Sequence, residues 1–425
     1  MSILLFIVML IIIAQDNLIN ILKIPFLTNF DEILIIFMII LFIISLRKKK
    51  ISFFSIKMIV LLMGFMMIGV FSCYINSSFE LKNVAMSCFL STKFWIIVIS
   101  CSMINFNKKF IDNFYKYLFI IEKIVLFFAF FNILFLSYYK QLFPISFVTY
   151  RFNFISVCSI FIHPGKYGWF MLFCAIAHLS LYVCDKNKKE LWKMVVAIIA
   201  CLFSFRTKVI ISAVMCIGCY LLYINRESLK KQMKKILVFT IFIMLFIFPF
   251  KNIILNTYTL YFTDTEGYSV RQALLDNSFK IAKEYFPIGV GFGKYGTLYA
   301  AKNYSEYYFK YGMSNMYGIT RNNTSYSTDT FWPAVIGETG FIGTLIYILL
   351  VILLLKRMII IYNEVSIENK SITILSLLIF IQILIESFGS ASFNSPPTYF
   401  FTSFVIGLAL SVNRKGYDEI ETKKS

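Results

Sequence analysis

The sequence predicts an all-α polytopic membrane protein with about twelve transmembrane helices, on three observations. Of 425 residues, 59% are hydrophobic and 15% are charged, whereas soluble domains carry about 25% charged residues. The apolar residues form continuous runs of roughly 16–22 positions, the length a helix needs to cross the hydrocarbon core. The runs do not alternate, which argues against a membrane barrel, and backbone in lipid must satisfy its own hydrogen bonds, which leaves helices. Finally, the basic residues stand in short clusters between the runs.

The first run, 2–22, has no basic leader and no small-residue cleavage pattern after it. It reads as a retained span and not a signal peptide, although Gln15, Asp16 and Asn17 interrupt it. Further spans are expected near 31–46, 56–74, 87–104, 117–137, 166–184, 191–205, 208–224, 236–254, 331–355, 372–388 and 398–412. The basic clusters are Arg47 to Lys50, Lys108-Lys109, Lys186 with Lys188-Lys189, Lys230-Lys231 with Lys234-Lys235, Lys356-Arg357 and Arg414-Lys415. Each follows an even-numbered span, and basic loops mark the cytoplasmic side. Both termini are therefore expected in the cytoplasm, with residues 1–425 forming one polytopic domain. The net charge of +19 belongs to this topology and is not read as a nucleic-acid surface.

The orientation leaves one large extracytoplasmic loop, roughly 255–330, between helices 9 and 10. Long loops are usually functional or disordered, and this one is rich in Tyr and Phe. From Ser269 to Tyr285 it carries a helical pattern in which Val270, Ala273, Leu274, Asn277, Ile281 and Ala282 share a face and Pro287 stops the helix. A folded lid or platform is expected.

Several short motifs carry little. Gly291-Phe292-Gly293-Lys294-Tyr295-Gly296 fits a dinucleotide fingerprint but lacks the strand before it and the acidic residue after it, so it reads as a Gly-rich turn. Cys216 and Cys219 lie inside an apolar span, where Cys behaves as a small hydrophobe. The nine cysteines imply no disulfide framework, and two histidines, His163 and His178, with no clustered carboxylates make a protein-only metal site improbable. Asn76, Asn303, Asn322 and Asn323 begin glycosylation-type triplets, which occur often by chance.

The remaining polar residues gather on the extracytoplasmic side. Arg206 and Lys208 occupy a turn too short to leave the membrane boundary, against the positive-inside bias. They either snorkel to lipid phosphates or form an anion site, where Arg offers a bidentate fork. Arg271 opens the loop helix and Arg151 precedes span six; either could be a solvated charge. Asp329, just before span ten with Pro333 following, could cap that helix or serve as a base.

Four blocks at these residues resemble the O-antigen polymerase and ligase superfamily of bacterial surface-polysaccharide assembly. They are Arg151 followed by His163-Pro164-Gly165-Lys166-Tyr167-Gly168; Ser204-Phe205-Arg206-Thr207; Arg271 with Pro287-Ile288-Gly289-Val290-Gly291-Phe292-Gly293 and Tyr295; and Asp329-Thr330-Phe331 with Glu338-Thr339-Gly340-Phe341-Ile342-Gly343. The likeness covers roughly residues 150–345. It implies a glycosyltransferase of the inner membrane that uses an undecaprenyl-pyrophosphate-linked sugar, without nucleotide sugar, metal or other cofactor. By match to the blocks, Arg206 and Arg271 would hold the pyrophosphate, Arg151, Lys208 and His163 would support substrate binding, and Asp329 would act as base or position the acceptor. A flippase and a chain-length regulator would be its partners in O-antigen or capsule assembly. Ligases of the superfamily tend to have His where this chain has Asp329, so the resemblance favours a polymerase. A twelve-span transporter or flippase is the rival class; the chain shows no internal repeat and is expected to hold no charge pair deep in a span. The glycines 337, 340 and 343 are expected to let span ten pack closely on a neighbouring helix.

Overall fold

A computed structural model describes residues 2–47, 51–76, 80–151, 154–220, 269–366 and 369–412. The expected span at 236–254, the distal end of the one at 208–224, the start of the long loop, and the basic residues at 48–50, 230–235 and 414–415 lie outside the described residues. The described chain is overwhelmingly helical, and seven helices are long and apolar enough to cross a membrane. These are α1 (Ser2–Leu22), α2 (Phe30–Leu46), α3 (Phe53–Asn76), α4 (Leu81–Met103), α5 (Lys108–Leu134), α7 (Pro164–Asp185) and α13 (Trp332–Glu364). Between them come α6 (Leu136–Leu142), α8 (Lys188–Leu202) and α9 (Thr207–Cys219); α14 (Lys370–Glu386) and α15 (Thr398–Val412) follow.

The layering follows how each helix divides its apolar surface. α4, α7, α14 and α15 bury nearly all of theirs and form the centre, α4 against α15 and α7 against α8 and α14. A Cβ on Gly407 would stand 2.3 Å from that of Cys101, so α15 and α4 approach more closely than any larger residue allows. α2, α3 and α5 leave large apolar side chains such as Phe37, Val60, Met67, Phe127 and Phe130 exposed. Such a belt would aggregate in water and is normal against lipid. Asn107 and Asn187 cap α5 and α8, so Lys108-Lys109 and Lys188-Lys189 open helices instead of lying in loops.

Two expectations about span ten are corrected. Helix α13 continues past 355 to Glu364, because Arg357 is buried on the helix with its guanidinium 5.5 Å over the Phe54 ring. The glycine series does not serve a neighbouring span. Gly340 leaves the helix (φ 62°, ψ −161°), and a Cβ there would lie 2.5 Å from the Gly289 nitrogen. Into this break runs the chain after Pro287: Val290 N–H donates to Gly337 O (3.1 Å), Gly291 N–H to Glu338 O (2.7 Å) and Ile342 N–H to Pro287 O (3.3 Å).

The described part of the long loop is a small folded unit on the bundle end. Ser269 caps α10 (Val270–Glu284), which buries Ala273, Leu274, Asn277, Ser278, Ile281 and Ala282. Short helices α11 (Leu298–Lys302) and α12 (Glu306–Lys310) complete a separate core with Val290, Tyr295, Tyr308 and Ile319. The Gly-rich turn wraps a carboxylate of its own chain: Glu338 Oε1 accepts from Lys294 N (2.9 Å), Tyr295 N (3.1 Å) and Thr297 Oγ1 (2.8 Å). Its glycines at 289, 291, 293 and 296 all have positive φ.

The expectation of no deep charge pair is also overturned. Lys93 of α4 meets Asp31 of α2 at 3.4 Å, both buried, and Gln15 and Tyr399 also donate to Asp31. His178 of α7 stands between Glu122 of α5 (2.9 Å) and Glu190 of α8 (2.6 Å), stacked on Phe119. Each partner lies in a different helix, so the pairing does not show in the sequence.

Candidate functional site

One end of the bundle is built from short segments that bring cations together. A two-residue strand, β1 (Tyr150–Arg151), pairs antiparallel with β2 (Phe154–Ile155). The hairpin leans on the turn between α8 and α9: Phe154 stacks on Phe205, and Arg151 Nη1 donates to the Phe205 carbonyl at 3.3 Å. Phe205 holds a left-handed backbone (φ 48°), rare for a bulky residue, which turns the chain so that Arg206 becomes the N-cap of α9. Gly168 of α7 admits this turn, since a Cβ there would fall 2.5 Å from Ser204 Oγ.

His163 caps α7, Nδ1 accepting from Gly165 N–H at 3.0 Å. With Nδ1 an acceptor, the ring proton is assigned to Nε2. Burial pushes the imidazole down to about 3, and repulsion from Arg206, Lys208, Lys166 and Arg151 adds to it. His163 is therefore a neutral donor among cations. Lys166, one turn into α7, pairs with Asp16 of α1 at 2.5 Å.

Lys208, in the first turn of α9, passes between two glycines: a Cβ on Gly165 would lie 3.4 Å from its Cε, and one on Gly389 3.8 Å from its stem. Its ammonium makes no hydrogen bond or ion pair among the described residues. The charge acting on it most strongly is the Glu386 carboxylate, followed by Arg271, Asp329 and Arg206. Glu386 is buried at the end of α14, with Gln382 Nε2 donating to it at 3.0 Å.

Arg271 stands at the start of α10, where the helix dipole disfavours a cation. It is held there by Asp329, whose Oδ2 lies 2.6 Å from both Nε and Nη2. Of the two roles open to Asp329, the helix cap is not found. Phe331 occupies the N-cap of α13, and Pro333 lies in its first turn. The carboxylate is turned to Arg271.

Arg151, His163, Arg206, Lys208, Arg271 and Asp329 thus gather around one end of α7, α9 and α10, although the turn, the hairpin and the loop are far apart in sequence. Reading the sequence missed Lys166–Asp16, Glu386 and the buried Lys93–Asp31 pair. Lys166 and Asp16 stood in view, one inside a quoted block and one interrupting an apolar run; Glu386 is a lone acid at a span end. Basic groups outnumber the carboxylates Asp16, Asp329 and Glu386, so the site is suited to an anion. Among the described residues no His, Cys, Asp and Glu group could hold a metal ion. Compared with known proteins, the chain matches no family model and no curated protein.

Proposed function

We propose that the chain is a bacterial surface-polysaccharide polymerase: a metal-independent glycosyltransferase that moves a growing glycan from undecaprenyl pyrophosphate to the terminal sugar of another lipid-linked repeat unit. It would cross the inner membrane about twelve times, with both termini in the cytoplasm and the site on the extracytoplasmic face. The observation that carries this reading is the convergence of Arg151, Arg206, Lys208 and Arg271 at one bundle end, beside the neutral His163. A pyrophosphate leaving group gathers negative charge as its bond to the anomeric carbon breaks, and pre-placed cations stabilise that charge most in the transition state.

In this scheme the pyrophosphate competes with Asp329 for the Arg271 guanidinium. Asp329 Oδ2, released, takes the proton of the acceptor hydroxyl; that oxygen bonds to the anomeric carbon, and the pyrophosphate departs with the electron pair. His163 Nε2–H donates to a phosphate oxygen without adding charge. The test is to incubate the purified protein with synthetic lipid-linked repeat units. A glycan ladder supports the proposal, and its absence with unmodified protein overturns it. Transfer to lipid A core in place of a ladder would indicate a ligase.

One observation favours a second reading, a transporter or lipid-linked oligosaccharide flippase. The buried Lys93–Asp31 pair and the His178 cluster are of the kind found along proton and substrate paths. Lipid-linked units accumulating on the cytoplasmic face in cells lacking the gene would indicate it.

A further inference from the structure

The folded loop holds a cavity of about 440 Å³ lined by Ala301, Lys302, Asn303, Tyr304, Phe309, Arg321 and Thr324, none of them a residue of the cationic cluster. That size is within the roughly 300–1,000 Å³ of small-ligand sites. No carboxylate lines it, although Lys302 is close enough to Glu32, at the start of α2, to act on its carboxyl group. Phe309 leaves 55% of its surface exposed and meets the Tyr304 ring edge-on at 5.0 Å. An exposed aromatic ring here stands beside two cations and two neutral hydrogen-bonding side chains.

The walls are pre-set. Tyr304 holds a left-handed backbone (φ 47°), and its hydroxyl donates to Ile319 O at 2.9 Å, tying the turn after α11 to the segment that carries Arg321. Arg321 projects from a tight turn closed by Asn323 N–H to Thr320 O at 3.0 Å and to Thr320 Oγ1 at 3.1 Å. Strain of this kind on a non-glycine residue, fixed by a cross-wall bond, clusters at binding sites.

We propose that this cavity is a saccharide subsite for an acidic sugar, with a ring face against Tyr304 and Phe309, its carboxylate between Lys302 and Arg321, and its hydroxyls on Asn303 and Thr324. Aromatic faces read the apolar side of a pyranose, the amide and hydroxyl read its alcohols, and the guanidinium reads a carboxylate bidentately. Under the proposed transferase function the occupant is a residue of the glycan itself, so a sugar-binding test is kept separate from the transfer assay.

The experiment titrates full-length protein in detergent with a hexuronic acid trisaccharide, a neutral hexose trisaccharide and inorganic phosphate. The acidic trisaccharide is expected to bind at least about tenfold more tightly than the neutral one, and phosphate at equal concentration not to displace it. Lys302→Ala, Arg321→Gln and Phe309→Ala, all at exposed positions, each weaken acid-sugar binding. Equal binding of the neutral sugar, full displacement by phosphate, or binding unchanged in the variants overturns the subsite. A ladder without trisaccharide binding defeats the subsite alone; binding without a ladder defeats the transferase reading alone.

Discussion

Arg271 and Asp329 form a closed pair in which the guanidinium reaches a single carboxylate oxygen through two nitrogens, each 2.6 Å from Oδ2. Their α-carbons are separated by 58 positions of chain, so the contact is made by the fold of the loop on the bundle. Both side chains keep substantial exposure, which leaves the pair open to exchange with a soluble or lipid-borne anion.

If Arg271 binds the leaving group, Arg271→Ala lowers transfer by about two to three orders of magnitude, the loss typical of one removed oxyanion donor. Arg271→Lys restores little, because an ammonium does not reproduce the fork. Rates from purified protein on lipid-linked units check this, and wild-type rates in both variants would overturn it. Asp329→Asn is expected to lower the maximal rate more than it alters half-saturation.

Arg206→Ala should shorten surface glycan to single repeat units in cells lacking the native copy. Long chains retained in this variant would remove Arg206 from the site. A folding defect is told apart by thermal unfolding, in which the variant should melt close to the unaltered protein.

His163 gives a stability test with a defined sign. Its folded value, about 3, lies below the ordinary 6.5. Between those values the unfolded chain binds more protons, so stability rises with pH there and is lost as pH falls below 6.5. His163→Asn keeps a capping acceptor for Gly165 N–H without a titrating ring. Melting temperatures between pH 7.5 and 4.5 should fall less steeply in that variant, and parallel curves would refute the assignment.

Removing one partner of the buried Lys93–Asp31 pair should cost about 3–5 kcal/mol, since an uncompensated charge remains. Lys93→Met alone is expected to be worse than Lys93→Met with Asp31→Leu. Chemical denaturation of the three proteins measures the difference.

Glu338→Ala leaves the N–H groups of Lys294 and Tyr295 without their acceptor, at about 1–3 kcal/mol for each buried donor. Glu338→Gln retains an amide oxygen in the same place and should lose much less. Proteolysis of the loop unit, monitored by fragment size, distinguishes them.

Hydropathy is a local property, so the long helices were legible: the run at 2–22 and the one at 398–412 coincide with α1 and α15. The face of α10 was legible too, because its burial follows the helical period. Lys356 and Arg357 misled, since a boundary and a buried cation look alike until Phe54 is placed beneath the guanidinium. Gly340 gave no sign of breaking its helix, because the cause is Pro287 to Gly291, far back in the chain. Partnerships such as Lys93 with Asp31 and Arg271 with Asp329 were out of reach for the same reason. Single residues can be read for type, but pairing needs the packing.

The break at Gly340 also has a mechanical meaning. Helix α10 leads through a turn into the Gly-rich stretch that enters the break, and Asp329 stands just before the helix that contains it. Both halves of the ion pair are thereby anchored to one rivet. Any displacement of that rivet would carry the start of α13 and the chain after α10 together, keeping Arg271 and Asp329 in step.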